Sequence, residues 1–306
     1  LNWFFMNLTS KIKNVCKNLF AIDYRTLGLF RILMASIVIV DIFLRCRDFE
    51  AFFTEQGIIP RNFAINWFSG NATFSLYFIN GGSTFSAILV CLTILSATFL
   101  LVGYKTKLST ITTFLFIHSL QMRCTILNSS GDDLLRVLLF WSVFLPLGKC
   151  FSVDRYILKT TPKDSEKLEH LSKTEGIDNA NEEIGTVNED IESMTPSMTE
   201  DSTPTSISNF FTFAVLQQVL FVYWVGALLK SNPIWTSKFS AIEWTLHLGH
   251  FATPFGSWFV VAMKSYLKPL TQFVLYLELY GPLLLLIPFA TKYIRTTTMF
   301  LLIGMH

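Results

Sequence analysis

Leu27–Leu44 reads LGLFRILMASIVIVDIFL. A hydrocarbon layer of about 30 Å takes about 20 apolar residues as a helix. This run nearly reaches that length, and Arg31 and Asp41 are its only charges. It predicts a first transmembrane helix. Outward from it, Phe49–Phe68 alternates apolar and polar residues and is broken by Gly57 and Pro60, so it should lie in the interface. Further spans are expected near Thr84–Val102, Leu108–Met122, Leu134–Leu147, Phe210–Leu229 and Phe273–Ala290, with another starting near Thr296. Ile234–Phe251 reads as amphipathic, and Phe255–Met263 is too short to cross alone. The fold class is all-α: a polytopic transmembrane helical bundle with interfacial amphipathic helices and one long disordered loop.

That loop is the second informative stretch. From residue 160 to 208, Ser, Thr, Glu, Asp, Asn and Pro dominate, and no aromatic follows until Phe210. Such a segment cannot bury enough apolar surface to offset its chain entropy. It divides the chain into 1–159, the polar acidic loop 160–208, and 209–306. A plain tether is the simpler reading of the loop, and a phosphorylated one the alternative.

Composition agrees. Of 306 residues, 51% are apolar and 15% charged, and the mean hydropathy is +0.46. This is too apolar for an ordinary soluble domain. A net charge of +2 without a basic, aromatic-interleaved run argues against nucleic acid as a partner. The 30 Phe residues suit a lipid-facing surface. The five cysteines form no C-x-x-C pair, so no structural zinc site is expected. Cys46 and Cys124 fall on the same expected side; they pair or, more simply, stay free thiols. The chain opens on Leu, with Lys11, Lys13 and Lys17 in an amphipathic start, and stops at His306 inside an apolar run, so it reads as a fragment.

If each long span crosses, Lys11, Lys13, Lys17, Arg25, Lys105, Lys107, Lys149, Arg155 and Lys159 collect on one side. Only Arg45, Arg47, Arg61 and Arg123 face the other. Positive charge marks the cytoplasmic side. The expectation is an integral, multi-pass protein of the endoplasmic reticulum or plasma membrane, with its N-terminus and residues 160–208 cytoplasmic. The sequons Asn71-Ala-Thr and Asn128-Ser-Ser then fall on the lumenal side, whereas Asn7-Leu-Thr falls on the wrong one.

Ionisable groups inside a span need a partner or a role. Arg31 and Asp41 are candidates for helix-to-helix pairing. Asp132 and Asp133 stand at the mouth of the Leu134–Leu147 span, and Arg136 has Asp132, Asp41 or Glu278 as possible partners. The plain reading of all these is a set of clamps. Lys230 ends the Phe210–Leu229 span in VYWVGALLKSNPIW. A lysine there either snorkels to the headgroups or sits desolvated, with a lowered pKa that makes it a usable base. Trp235, Trp244, His247 and His250 follow and would roof such a pocket. His118 is a packing residue by the simpler reading. His247 and His250 share a helix face, but no third ligand lies near to make a metal site.

Five strings occur in order: DYRTLGLFRILMASIVIVDIFLR, FFTEQGIIPR, NSSGDDLLRVLLFWSVFLPLGKCFSVD, HFATPFGSW and LELYGPLLLLIPF. Together they resemble the HTTM domain, the membrane domain shared by vitamin K-dependent gamma-carboxylases and many microbial proteins. The resemblance covers the chain apart from the polar loop. It implies reduced vitamin K or a related quinol as cofactor, and a lysine base that deprotonates it. Oxygen addition then gives a stronger base, which removes the gamma proton of a peptide glutamate before carbon dioxide adds. Lys230 falls where the carboxylase motif has its lysine, and His306 where the family has a later histidine. The implied cofactor-binding groups are His306, Asp132, Asp133, Trp235 and His247, with Lys230 as catalytic base.

Asn128-Ser-Ser-Gly131 departs from the carboxylase pattern, which has an Asn-His pair there. The large lumenal substrate-recruiting domain is not among these residues either. The chain therefore looks closer to the microbial branch, some of whose members resemble maturation factors for secreted peptides. The implied activity is quinol-dependent modification of an exported peptide, with a secreted or lumenal peptide and the bilayer as partners. The rival reading is a non-catalytic membrane scaffold or export partner. A transporter is the weaker third reading, because no internal repeat or pair of broken helices is evident.

Overall fold

The computed structural model describes residues 19–67, 74–160, 206–248, 253–287 and 291–305. Helix dominates among them. Within the expected loop, residues 161–205 lie outside the described residues, as do His250 and His306. The chain divides into two units: Ile22–Ile207, and Ser208–His306 with the residues before Ile22.

The first unit holds α1 (Tyr24–Arg45), α2 (Ser83–Val102), α3 (Thr106–Arg123), α4 (Ser130–Ser142) and α5 (Val153–Thr160). The Asp23 carboxylate starts α1 by accepting from the Arg25 amide at 2.7 Å. The two-residue strand Ile22–Asp23 just before α1 pairs antiparallel with Ser206–Ile207. α2 packs against α1 and α3, and α3 packs against α4. Between α1 and α2 the described residues make short helices at Phe49–Phe53 and Arg61–Trp67 and single 3-10 turns at Cys46–Asp48 and Leu76–Phe78. Gly57 and Pro60 fall between the two short helices, as expected of the interfacial stretch.

In α2 and α3 the usual polarity is inverted. Ser86, Thr93 and Ser96 of α2 are buried, as are Ser109, Thr110, Thr113 and Ser119 of α3. Ile88, Leu92, Leu95, Phe99 and Val102 of α2 point outward. Their spacing of three and four residues puts them in one row. Small hydroxylated residues let two helices approach closely, and they satisfy their own hydroxyls. Thr93 donates to the Leu89 carbonyl at 2.6 Å, Thr110 to Thr106 at 2.7 Å, and Thr113 to the Ser96 oxygen at 3.3 Å. α1 carries a similar outward row at Leu29, Leu33, Ile37, Val40 and Leu44. Apolar rows of this extent are costly in water and suit a lipid environment.

The turn between α2 and α3 is held from both sides. Gly103 ends α2 at φ +78°, a conformation glycine adopts without steric cost. Fully buried Arg31 reaches the end of α2. Its Nη1 donates to the carbonyls of Leu100 at 2.5 Å and Leu101 at 2.9 Å, and its Nη2 to Phe151 at 2.6 Å. A cation there satisfies carbonyls that the helix leaves open. Arg31 thus joins α1 to the end of α2, through backbone carbonyls rather than an acidic side chain. Asp154 caps the start of α3, accepting from the Lys105 and Thr106 amides at 2.7 Å each and from the Thr106 hydroxyl at 2.6 Å.

The second unit holds α6 (Phe210–Leu229), α7 (Ala241–His247), α8 (Pro254–Ala262), α9 (Leu267–Leu285) and α10 (Thr291–Met305). Asn209 and Thr212 form a reciprocal cap on α6. α9 is central, packing against α6, α7 and α10. Arg295 donates to the Leu285 carbonyl at 3.0 Å, so a guanidinium again meets the C-terminal end of a helix.

Among the described residues, three helices are long and apolar enough to cross a membrane: Tyr24–Phe53, which continues α1 through a tight turn, Ser83–Val102 and Phe210–Leu229. The Leu134–Leu147 stretch differs from expectation. Its helix ends at Ser142, and the amides of Val143, Phe144 and Leu145 bond only three residues back, to Phe140, Trp141 and Ser142. Pro146 follows, and a residue before proline is pushed out of helical geometry. At 13 residues α4 is only about 20 Å long. Ile234–Phe251 likewise forms the separate short helices Pro233–Thr236 and α7, with Phe239 at φ +51° between them.

Candidate functional site

Lys230 is the residue at which α6 stops. Its backbone leaves helical geometry, and its amide donates to the Ala227 carbonyl at 3.1 Å. The side chain turns toward α9, where its Nζ donates to Oε2 of Glu278 in a close ion pair. Glu278 is buried and the Lys230 side chain is largely covered. The Trp235 ring lies over the amine, with Nζ 4.5 Å from the ring centroid. Indole faces attract cations, so the ammonium has a carboxylate and a π-face as neighbours. Nearly two turns earlier on α6, Trp224 donates its indole N–H to the Leu279 carbonyl at 3.0 Å. That bond fixes α6 against α9 directly beside Glu278.

The sequence places Trp235 here through local chemistry. Asn232 caps the one-turn helix Pro233–Thr236, accepting from the Ile234 amide at 3.1 Å, and Pro233 occupies its first position. The Lys238 and Ser240 amides then bond back to Pro233 and Ile234 at 2.8 Å each. The chain thus folds over the end of α6.

Of the other expected site residues, His247 is exposed at the end of α7, where its Nδ1 faces the Glu243 carbonyl at 2.7 Å. It caps its own helix. Asp132 and Asp133 belong to the first unit, and each is engaged there. Asp132 completes a capping box with Ser129 at the start of α4 and accepts from Arg45 Nη2 at 2.7 Å. The Arg45 Nε bonds both Asp41 oxygens at 2.9 Å, so one guanidinium joins α1 to α4. Asp133 pairs with Arg136 at 2.5 Å, three residues on along its own helix. Arg136 therefore takes Asp133 rather than Asp132. Cys46 and Cys124 are both free thiols.

Asn128 is also engaged. Its amide nitrogen donates to the Gln121 carbonyl at 2.9 Å and its oxygen accepts from Arg45 Nη1 at 3.3 Å.

Sequence reasoning found Lys230 and Trp235 but missed Glu278 as their partner. The signal was present: a lone carboxylate inside an apolar stretch has to meet a cation, and Lys230 ends the apolar stretch before it. Arg45 was counted as a loop charge although its i,i+4 spacing to Asp41 marks a helix pair.

No family model matches the chain, and no curated protein or solved structure is measurably similar to it.

Proposed function

We propose that the chain is a multi-pass membrane protein of the gamma-carboxylase-like HTTM kind, and that the Lys230–Glu278 pair is its proton-handling centre. The observation that carries this reading is an amine at the end of an apolar helix, under an indole, hydrogen-bonded to a buried carboxylate of the facing helix. The donor set suits a flat hydroxylated aromatic ring: Lys230 and Glu278 would hold its hydroxyl edge beside the Trp235 indole. A bound quinol supplies the reducing electrons and, with oxygen, the strong base that carboxylation of a peptide glutamate requires. The chain's own part is the proton. Nζ of Lys230 passes its proton to Oε2 of Glu278 and is then free to accept one from a hydroxyl. Charge is conserved within the pair, so the transfer needs no counterion.

A second reading is supported by the same bond. A carboxylate this buried against one lysine also serves to clamp α6 to α9, in a scaffold or in an export partner for a secreted peptide. Removing one partner strands a buried charge at a cost of about 3–5 kcal/mol, whereas replacing both by apolar residues is often neutral. The double variant K230M/E278L therefore separates the two roles. In lipid nanodiscs with a reduced naphthoquinone, wild type is expected to consume the quinol. The double variant should lose at least ~100-fold in rate, the usual contribution of a general base, with an unchanged melting temperature. A folded double variant with wild-type rate, or a wild type without quinol turnover, refutes the enzymatic reading.

A further inference from the structure

The groove between α2 and α3 opens outward through the row already described. It is lined by Leu92, Leu95 and Phe99 on one helix and Leu108, Thr112 and Phe116 on the other, and encloses about 300 Å³. Ser96 and Ser109 form its floor, but their hydroxyls donate to Thr93 and Thr106 carbonyls at 2.9 Å and 3.0 Å. The floor thus makes little polar demand on an occupant. From Leu92 to Phe99 the groove runs about 10 Å along the helix axis. It ends at Tyr104 and Lys105.

There it meets a wider, open cleft of about 720 Å³ that shares Tyr104, Lys105 and Leu108 with it and adds Lys107. Both lysines are exposed. Asp154 is the acid on this cleft, and its oxygens are occupied by the start of α3. Because Asp154 takes the first amides of α3, an incoming anion is left with the two ammonium groups. An apolar groove leading to a net cationic rim is complementary to an amphiphile with an anionic head.

We propose that this continuous cleft binds an anionic phospholipid, with one acyl chain in the α2–α3 groove and the phosphate on Lys105 and Lys107. The proposal goes beyond the Lys230 site and uses none of its residues; it rests on the membrane-embedded reading alone. A zwitterionic lipid fills the groove equally well but adds an opposing ammonium at the rim. Each lysine near a lipid surface favours anionic lipid by about fivefold, so two give roughly 30-fold.

The test is native mass spectrometry of the full chain, exchanged from detergent into mixed micelles of phosphatidylglycerol and phosphatidylcholine with matched acyl chains. Wild type is expected to retain one phosphatidylglycerol in strong preference. K105Q/K107Q should lose that preference while keeping its melting temperature, because both side chains are exposed. L95W, which fills the groove, should lose retention of both lipids. Equal retention of the two lipids by wild type, or a preference unchanged in K105Q/K107Q, overturns the proposal. Displacement of the lipid by millimolar inorganic phosphate does the same, because it would mean that the rim alone binds. Alkaline carbonate extraction of native membranes separates the premise from the proposal. A chain released by carbonate is not embedded, and a chain retained without lipid preference is embedded but lacks this site.

Discussion

Gly103 and Arg31 show how much one turn can demand of two residues. A Cβ on Gly103 would lie 2.5 Å from Arg31 Nη1 and 2.6 Å from the Ser152 Cβ. The left-handed backbone adds about 1–2 kcal/mol for any L side chain. Gly103→Ala should therefore lower the melting temperature in detergent markedly, with a cost of at least that size. Arg31→Leu should cost about 3 kcal/mol or more, because it strips a charged donor from three carbonyls, that of Leu100 buried. Asp154 gives a pH signature. Burial pushes its carboxyl up, but the Thr106 hydroxyl, the Thr106 and Lys105 amides and the Arg31 guanidinium more than reverse this and hold it below the ordinary 3.8. A depressed acid stabilises fully above its unfolded value and loses that contribution as pH falls through its folded one. Wild type should thus melt above Asp154→Asn at neutral pH, and the gap should narrow as the pH falls below 3.8 and through the lower folded-state value. The costly residues Arg31, Asp41, Lys230 and Glu278 were visible in the sequence. The partners of Arg31 were not, because it takes backbone carbonyls, and no side-chain pattern announces those.

At the level of the element, hydropathy located α1, α2 and α6 to within a few residues, because a long apolar run has few other ways to satisfy its backbone. It overstated α4. Leu134–Leu147 is apolar enough to suggest a span, but apolarity does not say where helical geometry stops, and Ser142 and Pro146 stop it early. Cysteine scanning from Trp141 to Leu147 should show irregular labelling by a membrane-impermeant maleimide. A helical period of protection through Leu147 would mean that α4 is longer. Its start is firmer: Ser129→Ala removes one half of the capping box and should cost about 1 kcal/mol in an unfolding titration. The inward Ser and Thr of α2 and α3 were also legible as letters. Their meaning needed the exposure of the opposite face, whose apolar rows suit a lipid environment.

For the whole molecule, the same end of the first unit carries Lys105, Lys149 and Arg155 with the Arg31–Asp154 turn. Lys149 lies 4.4 Å from the Tyr24 ring centroid and donates to its hydroxyl at 3.2 Å. The opposite end carries the Arg45–Asp132–Asn128 cluster. If the charge bias that orients membrane helices applies here, the end that carries Lys105 is the cytoplasmic one. The account as a whole requires that the chain cross a bilayer several times with residues 160–208 on the cytoplasmic side. Glycosylation mapping in microsomes tests this most directly, with acceptor sites at native Asn71 and at one engineered near Asn188. The account predicts a glycan at Asn71 and none near Asn188; a glycan near Asn188, or equal modification of both, would contradict it.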